Sequence, residues 1–260
     1  MSEVWLDGDY LPEEKALLPA TDATFLQGRG VFETIRAYDG FPFRMADHLI
    51  RLAITASKIG IPWSRPNLAP VVPELCRRNG VSDAAIRITV TAGGQVLVTA
   101  RERRPVPEAW ITQGAEVTIA PWRRDPRSPL AGHKTTSYLE NVLIHDEAQR
   151  RGCVDALFVG TKGELLEGAV SNIFLVIGGN LTTPRLNPGV LPGITRWTIM
   201  ELMQTKERTV KIKELWKAEE AFLTNSLMEI VPILKPPGPV TRGVMKAYEV
   251  RVNESLRQAQ

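Results

Sequence analysis

The chain has 260 residues, of which 43% are hydrophobic and 23% charged. This composition fits one large globular domain or two small ones, and it excludes disordered, collagen-like and coiled-coil proteins. The formal net charge is +3 and the basic residues are scattered apart from short clusters, which does not favour nucleic-acid binding. Cys76 and Cys153 lie far apart, so the sequence encodes neither a disulfide framework nor a paired-cysteine site.

The sequence also bears on location. The chain does not start with a basic segment followed by an apolar one, and it contains no run of about 18 apolar residues. We therefore expect a cytoplasmic protein with reduced thiols and no membrane insertion.

Turn signals and apolar periodicity predict the elements of the first half. Asp-Gly pairs at residues 7–8 and 39–40 separate apolar runs, which predicts β-hairpins within about the first forty residues. The next predicted elements are a helix from Asp47, as its N-cap, to Ile59, a helix at about Leu68–Arg78, and strands at Ala85–Thr91 and Val96–Arg101.

A segment rich in proline and charge interrupts the middle of the chain. Residues 121–129 hold three prolines and four charged side chains, which predicts a linker between a domain at 1–120 and a domain at 130–260. The elements predicted beyond it are a helix at about Thr135–Arg150, strands at Ala156–Val159, Asn172–Ile177 and Ala221–Thr224, and a helix that follows Leu191–Thr195 and runs to Met203. Meandering strands mixed with separate helices predict an α+β fold.

Several common functional motifs do not occur. The stretch Gly28-Arg29-Gly30 lacks the third glycine of a dinucleotide fingerprint, so a turn is favoured there. The P-loop, HExxH and GxSxG patterns are missing, and His48, His133 and His145 have no Cys or His partner at ligand spacing. Metal hydrolases and serine hydrolases are therefore excluded, and no metal is expected.

The most informative motif reads Gly-His-Lys-Thr-Thr-Ser-Tyr-Leu-Glu-Asn at residues 132–141. Other motifs occur, in order, at residues 30–36, 48–52, 166–174, 183–184, 191–196, 222–226 and 230–232. Together they resemble the class IV (fold type IV) enzymes that use pyridoxal 5′-phosphate (PLP). This family contains branched-chain and D-amino-acid aminotransferases, (R)-amine transaminases and aminodeoxychorismate lyases.

The resemblance implies an architecture and an assembly. It implies a small α/β domain and a larger barrel-like α+β domain, with PLP in the cleft between them. It also implies a homodimer or larger assembly, in which a neighbouring subunit completes the pocket.

The resemblance further assigns roles to single residues. A lysine that forms a Schiff base must lose its proton near neutral pH, which burial and nearby positive charge favour; Lys134 is that lysine. Glu167 is expected to keep the pyridine nitrogen protonated, so that the ring accepts electrons. The other expected cofactor contacts are the guanidinium of Arg51 and the helix start at Gly193, Ile194 and Thr195 for the phosphate, the hydroxyl of Ser226, and Tyr138 near the ring hydroxyl.

The sequence departs from its relatives where the substrate carboxylate is held. Relatives commonly have a tyrosine and Gly-Asp-Gly before the Val-Phe-Glu strand, whereas this chain has Gln27-Gly28-Arg29-Gly30. The arginine and histidine of the D-amino-acid enzymes, and the arginine of the lyases, have no counterpart in Thr91–Gln95. Arg87 matches a pocket arginine of the branched-chain enzymes, and Arg29 is either a new carboxylate partner or a surface ion pair.

These features predict transamination between an amino acid and a 2-oxo acid, with a preference for D-amino acids and some tolerance of (R)-amines. One alternative is aminodeoxychorismate lyase, since Thr224-Asn225-Ser226 looks somewhat lyase-like. The others are a branched-chain L-amino-acid aminotransferase and a noncatalytic binding protein, which would not need Lys134.

Overall fold

The computed structural model describes residues 2–186 and 189–259 of the protein. The chain forms two compact units. The first contains the chain up to Arg104, the short segment Lys134–Tyr138 and the chain from Val252 onward, and the second contains Pro105–His133 and Leu139–Arg251.

The first unit is built on one antiparallel sheet. Its strands are β1 (Glu3–Leu6), β2 (Asp9–Pro12), β3 (Val31–Tyr38), β4 (Phe41–Pro42), β5 (Ala84–Val90) and β6 (Val96–Glu102), in the spatial order β2-β1-β6-β5-β3-β4. Asp7 and Asp39 have φ angles of 48° and 50°, and the glycine after each also has a positive φ. These are the turns that Asp-Gly favours, so the predicted hairpins are confirmed.

Three α-helices accompany this sheet in the described part of the first unit: α1 (Ala23–Gln27), α2 (Met45–Lys58) and α3 (Val71–Asn79), besides a short 3-10 turn at Glu13–Lys15. The buried faces of α2 and α3 pack with inward strand residues such as Ile86, Ile88 and Val98 in one apolar core. Alternation along β5 and a 3.6-residue period along α2 produce these two faces.

Helix α2 begins earlier than the sequence indicated. Its N-cap is Arg44, in a left-handed conformation with φ 52°, rather than Asp47. Asp47 instead lies in the first turn, where its carboxylate accepts a 2.6 Å bond from Arg44 Nε. The predicted N-cap was therefore wrong, because an acidic residue is favourable anywhere in the first turn of a helix.

Helix α1 was not predicted, since five residues are too few to show a helical period. It has ordinary end signals nevertheless: Asp22 Oδ1 accepts a 2.7 Å bond from Thr24 N, and Gly28 ends the helix with φ 67°. The turn expected at Gly28 is therefore confirmed.

The second unit contains two sheets. Its strands are β7 (Val117–Arg124), β8 (Asp155–Gly160), β9 (Glu164–Gly168), β10 (Asn172–Ile177), β11 (Asn180–Pro184), β12 (Lys206–Arg208), β13 (Val210–Lys211), β14 (Glu220–Asn225) and β15 (Glu229–Pro232). The five-stranded sheet has the order β12-β11-β10-β14-β15 and the four-stranded sheet the order β13-β9-β8-β7. The described helices of this half of the chain are α4 (Glu108–Gln113), α5 (Leu139–Arg150), α6 (Ile194–Leu202), α7 (Ile212–Leu215) and α8 (Pro239–Ala259), whose residues from Val252 count with the first unit.

The segment predicted as a linker, 121–129, begins inside a strand. Residues up to Arg124 belong to β7, which pairs with β8 at the edge of its sheet. The register shifts between Ile119 and Arg123, and Pro121 lies in that irregularity. An edge strand with a bulge tolerates a proline because the ladder does not need its missing N–H group there.

The helix predicted over Thr135–Arg150 starts only at Leu139. The residues before it, Lys134–Tyr138, belong to the first unit. The predicted strands and the helix after Gly193 agree with β8, β10, β14 and α6, and the α+β class is confirmed.

Two features do not occur within residues 2–186 and 189–259. No helix there is both long enough and apolar enough to cross a membrane. No group of three or more His, Cys, Asp or Glu side chains in this part of the chain could hold a metal ion.

Candidate active site

The backbone around Lys134 is held against the start of β3. Phe32 N donates to Lys134 O at 3.1 Å, and Thr136 N donates to Gly30 O at 2.9 Å. Gly30 N returns a 2.8 Å bond to Thr136 Oγ1. Residues 134–136 therefore act as a short extra strand, which fixes the position of the lysine far more firmly than a surface loop would.

Two aromatic rings surround the Lys134 amine. Its Nζ lies 4.4 Å from the ring centroid of Phe32 and 5.2 Å from that of Tyr138. The rings meet edge to face, with centroids 5.2 Å apart. The predicted pair Lys134 and Tyr138 is thus brought together, with Phe32 as the side chain common to both.

Arg87 shares the same ring. Its Cζ lies 3.8 Å from the Phe32 centroid, a cation–π distance. The side chain keeps an accessible surface, although desolvation by the surrounding protein lowers its pKa against a small opposing effect of Tyr138. Arg87 therefore belongs to the group of side chains around Lys134.

Arg51 forms the centre of a buried cluster in the first unit. Its Nε and Nη2 donate to the two carboxylate oxygens of Glu33, at 2.8 and 2.6 Å. Nδ1 of His48 lies 2.8 Å from Glu33 Oε2. All three side chains are nearly inaccessible, with Glu33 at 0% exposure, so these charges are stable only as a group.

The cluster has unusual ionisation. Burial favours protonation of Glu33, but the charge and hydrogen bonds of Arg51, with a further bond from His48, outweigh it and lower the Glu33 pKa to about 2. Burial lowers the His48 pKa, which Glu33 opposes and the positive charges of Arg51 and Lys134 reinforce. Glu33 is therefore an anion and His48 a neutral ring near neutral pH.

Sequence reasoning missed Glu33 as a partner of Arg51. The available signal was the i,i+3 spacing of His48 and Arg51, which places both on one helix face. The burial of Glu33 on β3 then supplies the carboxylate that this pair of donors requires.

Arg29 lies outside both groups. Its side chain is exposed, and Nη2 is 3.4 Å from each of the carbonyl oxygens of Ile59 and Gly60, at the C-terminal end of α2. A cation at that end of a helix is favourable, because the last carbonyls carry partial negative charge. This is a structural position for Arg29.

Glu167 is the acidic residue of the second unit's group. It is 7% exposed near the end of β9. Its Oε2 accepts a 2.9 Å bond from Leu191 N and a 3.4 Å bond from Asn172 Nδ2, and its Oε1 lies 3.3 Å from Arg124 Nη1. Sequence reasoning did not identify Arg124, which comes from the segment interpreted as a linker.

The start of α6 lies next to this group. Gly193 is the N-cap residue and provides no side-chain cap, and a Cβ at this position would collide with Asn172 Oδ1. The first N–H groups of an α-helix have no partner within the helix, so they can bind an anion. Ile194 and Thr195 are 5% and 3% exposed in the first turn.

Ser226 follows β14 in the turn before β15 and is half-buried. The turn is fixed by Asn225, whose Oδ1 accepts bonds from Leu227 N at 2.9 Å and Met228 N at 2.8 Å. The structure thus gives each predicted cofactor residue a well-defined local setting. Lys134, Tyr138, Arg87 and Arg51 lie in the first unit, and Glu167, the start of α6 and Ser226 lie in the second.

Comparison with known proteins gives consistent findings. The sequence model of the family described as amino-transferase class IV matches residues 30–235. An aminodeoxychorismate lyase of Bacillus subtilis is 29% identical over 254 residues, covering 89% of this chain and 86% of the lyase.

Solved structures agree with this. A branched-chain aminotransferase from Thermoproteus uzoniensis, solved with norvaline, is 30% identical with a TM-score of 0.86, covering 95% of this chain and 93% of that one. A branched-chain amino acid aminotransferase from the source abbreviated T.th., solved with pyridoxamine 5′-phosphate, is 25% identical with a TM-score of 0.85, covering 95% and 92%.

Proposed function

Because the chain belongs to the class IV amino-transferase family, whose members use PLP, we propose that Lys134 is its cofactor lysine and catalytic acid–base. The observation that carries this proposal is the fixed setting of the amine between Phe32 and Tyr138. The reaction is the transfer of an amino group between an amino acid and a 2-oxo acid.

The donor set fits PLP. A phosphate dianion needs a guanidinium and backbone N–H groups, which Arg51 and the first turn of α6 provide, with the Ser226 hydroxyl in addition. Glu33 orients Arg51 by a two-point contact, so the guanidinium is in place before any anion arrives. The pyridine nitrogen needs an acid, and buried Glu167 is suited to it.

When bound, PLP supplies an electron sink for the pair left on the substrate α-carbon when a bond to that carbon breaks. Lys134 Nζ removes the proton from this carbon and returns one to the cofactor side, which requires a neutral amine at the start. Phe32 and Tyr138 limit the rotation of the lysine and exclude water from its side. Glu167 holds a proton at the ring nitrogen.

Two arginines are candidates for the substrate carboxylate. Arg87 is favoured because it lies over the same Phe32 ring as Lys134, is accessible, and is partly desolvated, which strengthens its attraction to an anion. Arg29 remains the competing proposal, although its guanidinium is directed at the α2 carbonyls.

The amino donor follows from the same residues. Two of the similar proteins above are branched-chain aminotransferases and one is an aminodeoxychorismate lyase, and Arg87 matches a pocket arginine of the branched-chain enzymes. We therefore propose branched-chain L-amino acids as the main donors. The preference for D-amino acids and (R)-amines, expected from the missing loop arginine, and the lyase reaction are the competing proposals.

A panel of half-reactions separates these proposals. The PLP-loaded protein is mixed in turn with L-leucine, L-glutamate, D-alanine, D-glutamate, (R)-phenylethylamine and aminodeoxychorismate, and the cofactor absorbance is recorded. Rapid conversion by L-leucine supports the branched-chain proposal, and conversion by D-alanine alone would replace it. Pyruvate release from aminodeoxychorismate without amino transfer would identify a lyase.

Lys134→Ala tests the role of the lysine itself. Turnover should fall on the order of a thousandfold or more, because attachment and proton transfer are lost together. Lys217→Ala, at an exposed lysine, is the matched control and should leave turnover unchanged. Near-normal turnover of Lys134→Ala would exclude the assignment.

We also propose that the protein is a homodimer in the cytoplasm, as the family resemblance implies. Leu139, Val142 and Leu143 on α5 are 67%, 43% and 56% exposed, an apolar surface of the kind that subunit contacts bury. Sedimentation equilibrium should give twice the chain mass, and a monomer at micromolar concentration would contradict the assembly.

A further inference from the structure

Arg124 on β7 is shared between two carboxylates. Its Nη1 lies 3.3 Å from Glu167 Oε1, and its Nη2 lies 3.2 Å from Glu140 Oε2 and 3.1 Å from Asn141 Oδ1. The Arg124 side chain is 11% exposed. A cation this buried is retained only where its partners compensate for lost hydration.

The guanidinium is also fixed by an aromatic ring. Its Cζ lies 3.3 Å from the ring centroid of Phe158, a fully buried residue of β8. Stacking on an aromatic face restrains a guanidinium in a way that a lysine ammonium cannot reproduce. Arg124 is therefore a fixed charge rather than a flexible surface side chain.

Two further donors to Glu167 are uncharged. Leu191 N and the Asn172 amide both donate to Oε2. A carboxylate that is 7% exposed is driven towards its protonated form by burial, and neutral donors oppose this less than a cation does. The ionisation of Glu167 therefore depends strongly on Arg124.

We propose that Arg124 is a positioning residue that keeps Glu167 ionised and thereby keeps their shared proton on the ring nitrogen of the cofactor rather than on the carboxyl. The inference rests on the proposed function, in which Glu167 pairs with that nitrogen. The proton has two places, nitrogen or carboxylate oxygen, and no other bond changes. Arg124 contacts the carboxylate directly, so it stabilises that charge more than it opposes a charge one hydrogen bond further away.

Glu140 supplies a matched control. It lies on the other side of the guanidinium, and its side chain is 47% exposed. Glu140→Gln removes one partner of Arg124 but keeps the arginine charge beside Glu167. If the charge of Arg124 is what acts, this variant should behave like the parent.

The test measures the ring nitrogen itself. Parent and variants are loaded with PLP that carries ¹⁵N in the ring, and the ¹⁵N chemical shift reports whether the nitrogen is protonated. The parent, Glu140→Gln and the charge-retaining Arg124→Lys should give the protonated shift. Arg124→Met and Arg124→Gln, two neutral variants that differ in polarity, should move towards the unprotonated shift.

Turnover should follow the same division. In the neutral variants kcat should fall on the order of tenfold or more, while the dissociation constant of PLP changes by less than about threefold, because electronics and not binding is altered. A protonated shift in both neutral variants would overturn the inference, as would an equal change in Glu140→Gln.

Glu167→Gln separates this inference from the proposed function. If the ring nitrogen stays protonated in Glu167→Gln, the role of Glu167 itself is wrong. If it loses the proton there but keeps it in Arg124→Met, only the role of Arg124 fails.

Discussion

Replacement of Glu33 should expose the energetic coupling of the buried Arg51 cluster. The Glu33 pKa falls from 4.5 to about 2, which corresponds to about 3 kcal/mol of stability at about 1.4 kcal/mol per unit. Glu33→Gln removes this contribution and leaves the buried Arg51 guanidinium without its anion. We expect the free energy of unfolding at pH 7 to fall by about 3 to 5 kcal/mol.

The loss should depend on pH with a definite sign. Since the folded-state pKa of Glu33 lies below the unfolded value, its contribution is complete above about pH 5 and disappears as the pH falls towards about 2. Urea unfolding of the PLP-free protein, followed by circular dichroism from pH 7 to pH 3, should show the parent approaching the variant in stability as the pH falls.

Glu74→Gln is the matched control for this experiment. The Glu74 pKa is also lowered to about 2, by hydrogen bonds from Arg77 and Arg78 and by their charges. That cluster is exposed to solvent, and exposed ion pairs contribute little to stability. If Glu74→Gln destabilised the protein as much as Glu33→Gln, or if the Glu33→Gln loss were constant from pH 7 to pH 3, the electrostatic reasoning would be refuted.

Two further substitutions have specific expected outcomes. In Gly193→Ala, the new Cβ collides with Asn172 Oδ1, so we expect about 1 to 3 kcal/mol lower stability and weaker PLP binding in a fluorescence titration; unchanged binding and stability would mean that this close approach is not needed. Arg87→Ala should lower kcat/KM for L-leucine on the order of thirtyfold or more, with Arg29→Ala much less affected. The reverse order of losses in steady-state kinetics would assign the substrate carboxylate to Arg29.

Local signals in the sequence predicted much of the first unit. The Asp-Gly turns at 7–8 and 39–40 fix where strands end, and alternation fixes which side chains of β5 face inward. The N-cap of α2 was misplaced because Arg44 adopts a positive φ that no local rule assigns to arginine. These errors concern boundaries, which depend on tertiary contacts more than on composition.

The second unit shows a different limit. Pro121 and the charges near it were interpreted as a linker, because an edge strand with a bulge has the same local composition. That interpretation hid Arg124, whose contact with Glu167 spans 43 positions in sequence. The sequence motifs named Glu167 as a candidate, but only the fold identifies the cation beside it.

The same holds for the buried cluster of the first unit. Arg51 was selected by its motif, whereas its partner Glu33 lies 18 positions away on β3. Charged side chains carry no mark of burial in a single sequence. The pairing of strand and helix decides which of them lose their hydration and must find partners.

The central claim is that Lys134 binds the cofactor. The PLP-loaded protein is reduced with borohydride, which converts the lysine–cofactor linkage into a stable amine, and the modified peptide is located by mass spectrometry. The account predicts one modified residue, Lys134. A reduced adduct on any other lysine, or none in a protein that has bound PLP, would contradict it.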